Sequence, residues 1–269
     1  MKVFVLIFTT ILLFTFNVNS QSTASKQVST FTIEAPQLNT YKKIWVYLPK
    51  SYKTANKSYP VIYMHDAQNL FDTETSYVGE WKVDEYLDTI SSNEVIIIGI
   101  EHGGEKRIDE LTPYRNEKYG GGKGDLYLSF IINTLKPHID ITYKTLKDVK
   151  NTTIFGSSLG GLISFYAVIK YPATFGNVGI FSPSFWFNKE IYELIKTSKI
   201  DSATRFFFLI GKEEGANEVS DQNRMVTLLK EKGVVEENII NKVIEGGKHN
   251  EEFWSKYFPE AHKWLFSKN

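Results

Sequence analysis

A serine flanked by glycines is the first position in this chain where chemistry is expected. Ser158 is the central residue of Gly156–Gly161, which reads G-S-S-L-G-G and contains the pattern G-x-S-x-G. A short apolar run precedes this stretch and a longer apolar segment follows it, which predicts a strand, a tight turn and a helix. Such a turn strains the backbone of its central residue and lifts the side chain above the sheet edge. The pattern therefore predicts that the Ser158 hydroxyl is a nucleophile.

A serine hydroxyl attacks effectively only when a base accepts its proton, and the five histidines of the chain are the candidates for that base. His249 lies in the loop sequence E-G-G-K-H-N-E, between the last predicted strand and the last predicted helix. The others directly follow a buried strand (His65, His102) or belong to predicted helices and their ends (His138, His262). The loop position after the last strand selects His249 as the predicted general base.

The base in turn needs a carboxylate that fixes its tautomer and stabilises the imidazolium. The apolar strand Phe206–Ile210 ends in the sequence G-K-E-E-G, so an acid of this loop can reach the same edge of the sheet. We favour Glu214 as this acid, with Glu213 and Asp221 as the alternatives. The resulting chain order is serine, acid, histidine.

Two backbone N–H groups are expected to stabilise the oxyanion that forms when the serine attacks a carbonyl group. The first is that of Leu159, which opens the predicted helix after the serine, where N–H groups lack partners inside the helix. The second is expected in the loop His65–Asn69, which follows the apolar strand Val61–Met64.

Composition and charge narrow the class of protein. The 31 basic and 31 acidic side chains balance, and the basic residues are scattered, so neither a nucleic acid nor a membrane surface is an expected partner. The chain contains no cysteine, which excludes disulfides and thiolate chemistry. The 19 Phe, 15 Tyr and 5 Trp residues suit both a large core and a cleft that binds sugar or aryl groups.

The first twenty residues have the pattern of a signal peptide. Lys2 supplies a positive charge, Val3–Phe16 is mostly apolar, and Val18–Ser20 offers a cleavage site before Gln21. The apolar run is shorter than the roughly 20 residues that span a bilayer. We therefore expect export to the periplasm or the medium after cleavage near Ser20, without stable membrane anchoring.

The elements that must position these residues follow from periodicity. After a flexible segment, residues 21–27, the remainder, 28–269, is expected to form a single domain. The early runs 28–33 and 43–48 alternate between polar and apolar residues, which predicts an antiparallel edge. Later continuous apolar runs alternate with helical patterns, which predicts a mostly parallel twisted sheet with helices on both faces. Loops at the carboxyl ends of such strands meet at one edge, so the serine, acid and histidine loops converge there.

Two prolines fall within segments of helical periodicity. We expect Pro137 to close the helix that contains Leu128 and Leu135. We expect Pro259 to interrupt the last amphipathic helix, Glu251–Phe266.

Together these segments resemble the Putative esterase family of α/β-hydrolases, which includes enterochelin-type siderophore esterases, feruloyl and acetyl xylan esterases, S-formylglutathione hydrolase and mycolyltransferases. The resemblance extends from about Phe31 to Leu265. It is carried by Val61–Phe71, Arg107–Pro113, Gly156–Gly161, Ser182–Trp186 and His249–Trp254. It implies the α/β-hydrolase fold and a catalytic triad, which maps onto Ser158, His249 and Glu214.

The resemblance also assigns residues outside the triad. The early loop of the family usually reads Asp-Gly, and the residue after that Gly donates the second oxyanion N–H group, which places this role on Gln68. In this chain Ala67 replaces the Gly. The stretch Arg107–Pro113 is interpreted as structural, because an arginine with Asp109 or Glu110 nearby can pin a loop over the sheet. Trp186 is predicted to wall the substrate site, with core packing as the alternative.

The expected protein is an exported serine esterase that hydrolyses carboxylic esters through an acyl-enzyme, without a metal or an organic cofactor. The resemblance implies a small-molecule or oligosaccharide ester as substrate, either a carbohydrate acyl ester or a siderophore ester. Two alternatives remain at this point. One is an acyltransferase that uses the same triad, and the other is a catalytically inactive binding module on the same fold. The sequence does not indicate an oligomeric state.

Overall fold

A computed structural model describes residues 22–267, so the predicted signal peptide lies outside the described residues. The strands are β1 (Val28–Ala35), β2 (Thr40–Tyr47), β3 (Val61–His65), β4 (Ile96–Ile100), β5 (Arg115–Asn116), β6 (Gly120–Gly121), β7 (Thr152–Ser157), β8 (Asn177–Phe181), β9 (Arg205–Gly211) and β10 (Ile239–Ile244). The α-helices are α1 (Val83–Leu87), α2 (Arg107–Leu111), α3 (Gly124–Phe130), α4 (Lys136–Thr142), α5 (Leu159–Lys170), α6 (Glu190–Thr197), α7 (Ala216–Glu231) and α8 (Glu251–Leu265). Among these residues no helix is both long and apolar enough to cross a membrane.

The main sheet has the strand order β1-β2-β4-β3-β7-β8-β9-β10. Strands β1, β2 and β4 pair antiparallel, and all other neighbours in this sheet pair parallel. The predicted mostly parallel sheet with an antiparallel N-terminal edge is therefore confirmed. Strands β3, β7, β8 and β9 are adjacent, so the loops after their carboxyl ends meet along one edge, as expected for such sheets.

Both faces of the sheet are covered by helices and apolar side chains. Alternate residues of one strand serve the two faces, since Ile154 packs in one apolar cluster and Phe155 in the other. On the face of α8, Phe155 contacts Phe181 edge to face at 4.9 Å between ring centroids. On the face of α5, Phe165 packs in the same way against Phe185 at 5.2 Å. The continuous apolar runs of the sequence thus form strands that are buried on both sides.

The two helical prolines do not end their helices, so both sequence predictions are wrong. Residues 131–135 form a π-helical turn that runs directly into α4, so the helical segment continues past Pro137, the second residue of α4. Pro259 lies inside α8, which continues to Leu265. Phe258 and Ala261 are fully buried on either side of this proline, and their packing keeps the helix together.

The segment of residues 22–27, predicted to be flexible, lies against the loop before α1 and against α1 itself. Ser22 Oγ and the Thr23 N–H group donate to the two carboxylate oxygens of Asp72 at 2.6 and 3.1 Å. The Ser25 N–H group donates to Asp84 Oδ2 at 2.7 Å. These hydrogen bonds give the segment a defined path in the structure.

A buried ion pair fixes α2 to the sheet. Lys42 Nζ on β2 lies 2.5 Å from Glu110 Oε2 on α2, and the two side chains are only 3% and 4% exposed. The Gly103 N–H group donates to the same carboxylate oxygen at 3.1 Å. A buried charge is tolerated when it is paired and hydrogen-bonded, so α2 is held in place by its acidic residue.

We expect Lys42→Met to lower the free energy of unfolding by about 3–5 kcal/mol, because it leaves the Glu110 carboxylate buried without a counter-charge. Urea unfolding followed by circular dichroism measures this loss. The double variant Lys42→Met/Glu110→Leu is expected to cost less than the single variant, since no charge remains buried. Lys196→Met is the control, because Lys196 pairs with Glu193 on the surface. An equal loss of stability in Lys42→Met and Lys196→Met would contradict the role of the buried pair.

Candidate active site

Ser158 lies in the tight turn between β7 and α5. Its backbone has φ 57° and ψ −123°, a strained conformation for a residue other than glycine. The turn is held by a hydrogen bond from the Ser158 N–H group to the Phe181 carbonyl oxygen on β8 at 2.9 Å. Gly156 is required in this turn because the chain passes close to it. A Cβ atom on this residue would lie 2.7 Å from the carbonyl carbon of Gly160.

His249 and Glu214 are brought together by the loops after β10 and β9. His249 Nδ1 lies 2.7 Å from Glu214 Oε2, and the Glu214 side chain is only 2% exposed. Glu213, the neighbouring alternative, is 51% exposed and lies 3.8 Å from Lys248. Asp221 belongs to α7, and its backbone carbonyl accepts a hydrogen bond from Tyr192. Of the three predicted acids, only Glu214 has a hydrogen bond to His249.

A second hydrogen-bond chain holds the Glu214 carboxylate from the other side. Ser182 Oγ donates to Glu214 Oε1 at 2.6 Å, and the Gly211 N–H group donates to the same oxygen at 2.8 Å. The Trp254 indole N–H group donates in turn to Ser182 Oγ at 2.8 Å. The Trp254 ring also packs edge-on against the His249 ring at 5.0 Å. The acid is therefore oriented before any substrate binds.

Ser182 itself has an unusual backbone, with φ 45°. It directly follows β8, and its N–H group donates to the Leu209 carbonyl oxygen at 2.6 Å. The left-handed conformation is uncommon for serine and is maintained here by the surrounding hydrogen bonds. The sequence motif Ser182–Trp186 did not identify this role, since only the three-dimensional structure brings Ser182 to Glu214.

The loop after β3 begins with a left-handed residue, Asp66, with φ 56° and ψ 46°, followed by a 3₁₀ turn over Ala67–Asn69. Ala67 does not have a positive φ, so its methyl group is compatible with the turn. This methyl group is fully buried, and a Cβ atom on Gly99 of the neighbouring strand would lie 2.8 Å from it. The glycine on β4 thus makes room for the alanine.

Arg107 pins this loop from α2. Its Nε and Nη2 atoms donate to Asp66 Oδ1 and Oδ2 at 2.7 and 2.9 Å, which is a two-point contact. Burial acts to raise the pKa of Asp66, but attraction and hydrogen bonds from Arg107 outweigh it and hold that pKa below its ordinary value. The structural interpretation of Arg107 thus has a geometric basis, with Asp66 rather than Asp109 or Glu110 as the partner.

The N–H groups of Leu159 and Gln68 are the sequence-predicted oxyanion donors. Leu159 is the first residue of α5, and Gln68 lies in the 3₁₀ turn after Asp66. Neither N–H group has a hydrogen-bond partner among residues 22–267. Two free donors thus belong to the turns that follow β7 and β3, which are adjacent strands.

A cavity of about 510 Å³ lies at the carboxyl edge of the sheet. Its lining includes Ser158, His249, Gln68, Arg107, Tyr77 and Trp81. Sequence reasoning missed Tyr77 and Trp81, which lie in the loop before α1. Tyr77 is 83% exposed, and an aromatic side chain in a polar loop is the signal that could have pointed to it.

His65 also borders the cavity but is not available as a base. Burial lowers its pKa to about 4, which makes the imidazole a weak base. Its Nδ1 atom is 2.8 Å from the Tyr127 hydroxyl group. The ring therefore fills space behind the serine turn.

Trp186 lies elsewhere. Its side chain is 45% exposed, so it is not part of the core. It packs edge-on against Tyr119 at 6.0 Å and lines a separate surface depression with Lys118 and Glu190. It is not among the residues that line the cavity of Ser158.

Known proteins are similar to this chain in sequence and in architecture. Residues 35–265 match the sequence model of the Esterase family, which is described as Putative esterase. The uncharacterized protein YbbA of Bacillus subtilis (strain 168) is 32% identical over 241 residues, which cover 85% of this chain and 94% of YbbA. The ferri-bacillibactin esterase BesA of the same organism is 31% identical over 166 residues, covering 55% of each chain.

A solved structure extends the comparison to the fold. The crystal structure of BES protein from Bacillus cereus superposes with a TM-score of 0.72 at 21% identity, covering 93% of this chain and 99% of that one. The predicted α/β-hydrolase fold is thereby confirmed. The chain belongs to the Putative esterase family and is a carboxylic ester hydrolase.

Proposed function

We propose that the chain is a serine esterase in which Ser158 is the nucleophile, His249 the general base and Glu214 the acid that orients the base. The observation that carries this proposal is the buried Glu214 carboxylate, which lies 2.7 Å from His249 Nδ1. A carboxylate in this position keeps the proton on Nδ1 and leaves Nε2 free to accept another. The strained turn of Ser158 opens onto the same cavity as His249.

In the proposed reaction, Ser158 Oγ forms a bond to the ester carbonyl carbon while its proton moves to His249 Nε2. The carbonyl π electrons move to oxygen, and the N–H groups of Leu159 and Gln68 donate to that oxyanion. When the tetrahedral species collapses, the bond to the alcohol oxygen breaks and His249 returns the proton to it. Water then repeats the sequence on the acyl-enzyme, releases the acid and restores the serine hydroxyl.

The substrate is proposed to be a carbohydrate acyl ester or a siderophore ester. Tyr77 lines the cavity and is 83% exposed, and aromatic faces bind both aryl rings and sugar rings. BesA, a relative over about half of the chain, is named as an esterase of ferri-bacillibactin. Comparison of kcat/KM for an acetylated sugar, a feruloyl sugar and a catecholate siderophore ester decides between the two classes.

Export is part of the proposal and has its basis in the N-terminal sequence alone. The positively charged start, the apolar run and the small residues before Gln21 are typical of a signal peptide. Identification of the mature N-terminus by mass spectrometry, on protein recovered from outside the cytoplasm, is the test.

We expect Ser158→Ala and His249→Ala each to lower kcat for p-nitrophenyl butyrate by about 10⁴- to 10⁶-fold, because either change removes nucleophilic attack. The double variant is expected to be little worse than either single variant, since the two groups act as a unit. Glu214→Gln is expected to cost less, about 10³- to 10⁴-fold, because a misoriented imidazole still works in part. The release of p-nitrophenol from the chain starting at Gln21 measures all four.

Glu213→Gln is the matched control for the acid, because Glu213 is the adjacent residue and half exposed. Its kcat is expected to stay within about twofold of that of the unsubstituted enzyme, as is usual for surface changes away from a site. A large loss in Glu213→Gln with a small loss in Glu214→Gln would show that the acid is assigned wrongly.

We expect Arg107→Gln to lower kcat by roughly 10- to 100-fold with little change in KM, because the loop that carries the Gln68 N–H group loses its two-point anchor. Steady-state kinetics on a p-nitrophenyl ester separates the two parameters. Lys123→Gln serves as control, since Lys123 pairs with Asp109 of the same helix on the surface. A raised KM with unchanged kcat would instead indicate that Arg107 binds substrate.

We expect Ser182→Ala to lower the free energy of unfolding by about 1–3 kcal/mol, because it leaves the buried Trp254 indole N–H group without an acceptor. Its kcat should also fall, since Glu214 keeps only the Gly211 N–H group on that oxygen. Ser164→Ala is the matched control, because the Ser164 hydroxyl is buried and has no hydrogen-bond partner. Equal effects of the two changes on stability and kcat would refute the positioning role.

A further inference from the structure

A cluster of acidic side chains outside the active site has no counter-charge. Oxygen atoms of Glu80, Asp84 and Glu85 lie within 4.8 Å of one another. Glu80 is 8% exposed and Asp84 is fully buried. Within residues 22–267, none of the three has a lysine, arginine or histidine nitrogen within 4.0 Å. Buried carboxylates without a cation are costly, so this arrangement requires an explanation.

Two of the carboxylate oxygens in the cluster also lack hydrogen bonds. Asp84 Oδ2 accepts from the Ser25 N–H group at 2.7 Å. Within residues 22–267, Asp84 Oδ1 and Glu85 Oε2 are both buried, and neither accepts a hydrogen bond from a donor group. A buried oxygen atom without a partner requires an explanation, and a cation bound by that atom is one.

The side chains next to the cluster carry hydroxyl groups, so the potential ligand atoms in this region are oxygens. Thr73 Oγ1 and Thr23 Oγ1 lie 2.6 and 3.2 Å from Glu80 Oε2. The cluster contains neither histidine nor cysteine, which are the ligands that zinc and copper prefer. Calcium takes six to eight oxygen ligands in flexible geometry, whereas magnesium demands a near-ideal octahedron.

We propose that Glu80, Asp84 and Glu85 bind a calcium ion at the start of α1. The ion would join three parts of the chain, since Ser25 contacts Asp84 and Thr73 contacts Glu80. The site would thereby tie the N-terminal segment and the loop before α1 to the helix. It is independent of the proposed catalytic triad, with which it shares no residue.

The calcium site adjoins one wall of the active-site cavity. Trp81 directly follows Glu80, lines the cavity, and donates its N–H group to the Asn69 carbonyl oxygen at 2.8 Å. Tyr77 lines the cavity from the same loop. A bound ion would therefore restrain the loop that carries these two residues.

Direct binding is tested with terbium, which replaces calcium in oxygen sites and emits light when an adjacent tryptophan is excited. Trp81 is placed to sensitise such emission. We expect chelator-treated protein to bind terbium with saturable sensitised emission, and calcium to displace it. Calcium at about 100-fold above its Kd is expected to raise Tm by roughly 5–10 °C.

Asp84→Asn is expected to abolish both the terbium emission and the calcium-dependent rise in Tm. Without calcium it should be at least as stable as the unsubstituted protein, because one uncompensated buried charge is gone, so loss of the response is not a folding defect. Glu74→Gln is the matched control, as Glu74 is an exposed acid in the same loop. It should keep the full response.

Two results would overturn the proposal. One is a Tm that does not depend on calcium, together with no saturable terbium emission. The other is a response that persists unchanged in Asp84→Asn. The first result would indicate that the carboxylates are neutralised by a shared proton instead of an ion. The second would show that the ion binds elsewhere in the protein.

Discussion

The contact on which the active-site geometry depends is the hydrogen bond of 2.7 Å between His249 Nδ1 and the buried carboxylate of Glu214. It joins the loops after β9 and β10, which are neighbouring parallel strands. The carboxylate is itself fixed by Ser182 and the Gly211 N–H group, so it has little freedom to turn. This contact orients the imidazole of His249, the proposed base, before substrate binds. The Trp254 ring, which packs edge-on against the His249 ring, also limits rotation of the imidazole.

The oxyanion side of the site depends on a second series of charged contacts. The ion pair between Lys42 and Glu110 holds α2 against β2, and α2 presents Arg107 to Asp66. Asp66 takes the left-handed conformation that starts the turn carrying Gln68. Each of these contacts joins a buried or half-buried charge to a specific partner. Such contacts restrain the direction of the side chains more strictly than apolar packing does. The sheet thus positions both parts of the proposed site. The loops after β9 and β10 position the base, and the loop after β3 positions an oxyanion donor.

Periodicity and chain order were sufficient to predict the sheet, its antiparallel edge and the loops that hold Ser158 and His249. Adjacent residues such as Glu213 and Glu214 cannot be separated in this way, because which one turns inward depends on a 3₁₀ turn and on a hydroxyl group from Ser182. Pro137 was misjudged because a π-helical turn just before it changes the hydrogen-bond pattern. The position of Trp186 depends on its packing against Tyr119, a residue of a distant segment, about which local sequence patterns carry no information.

The most direct test of the central claim is to locate the acyl group during turnover. The enzyme is mixed with excess p-nitrophenyl butyrate, quenched in acid within milliseconds, digested and analysed by mass spectrometry. We expect one butyryl group per molecule, on Ser158, and none in Ser158→Ala. A butyryl group on another residue, or rapid ester hydrolysis that continues in Ser158→Ala, would contradict it.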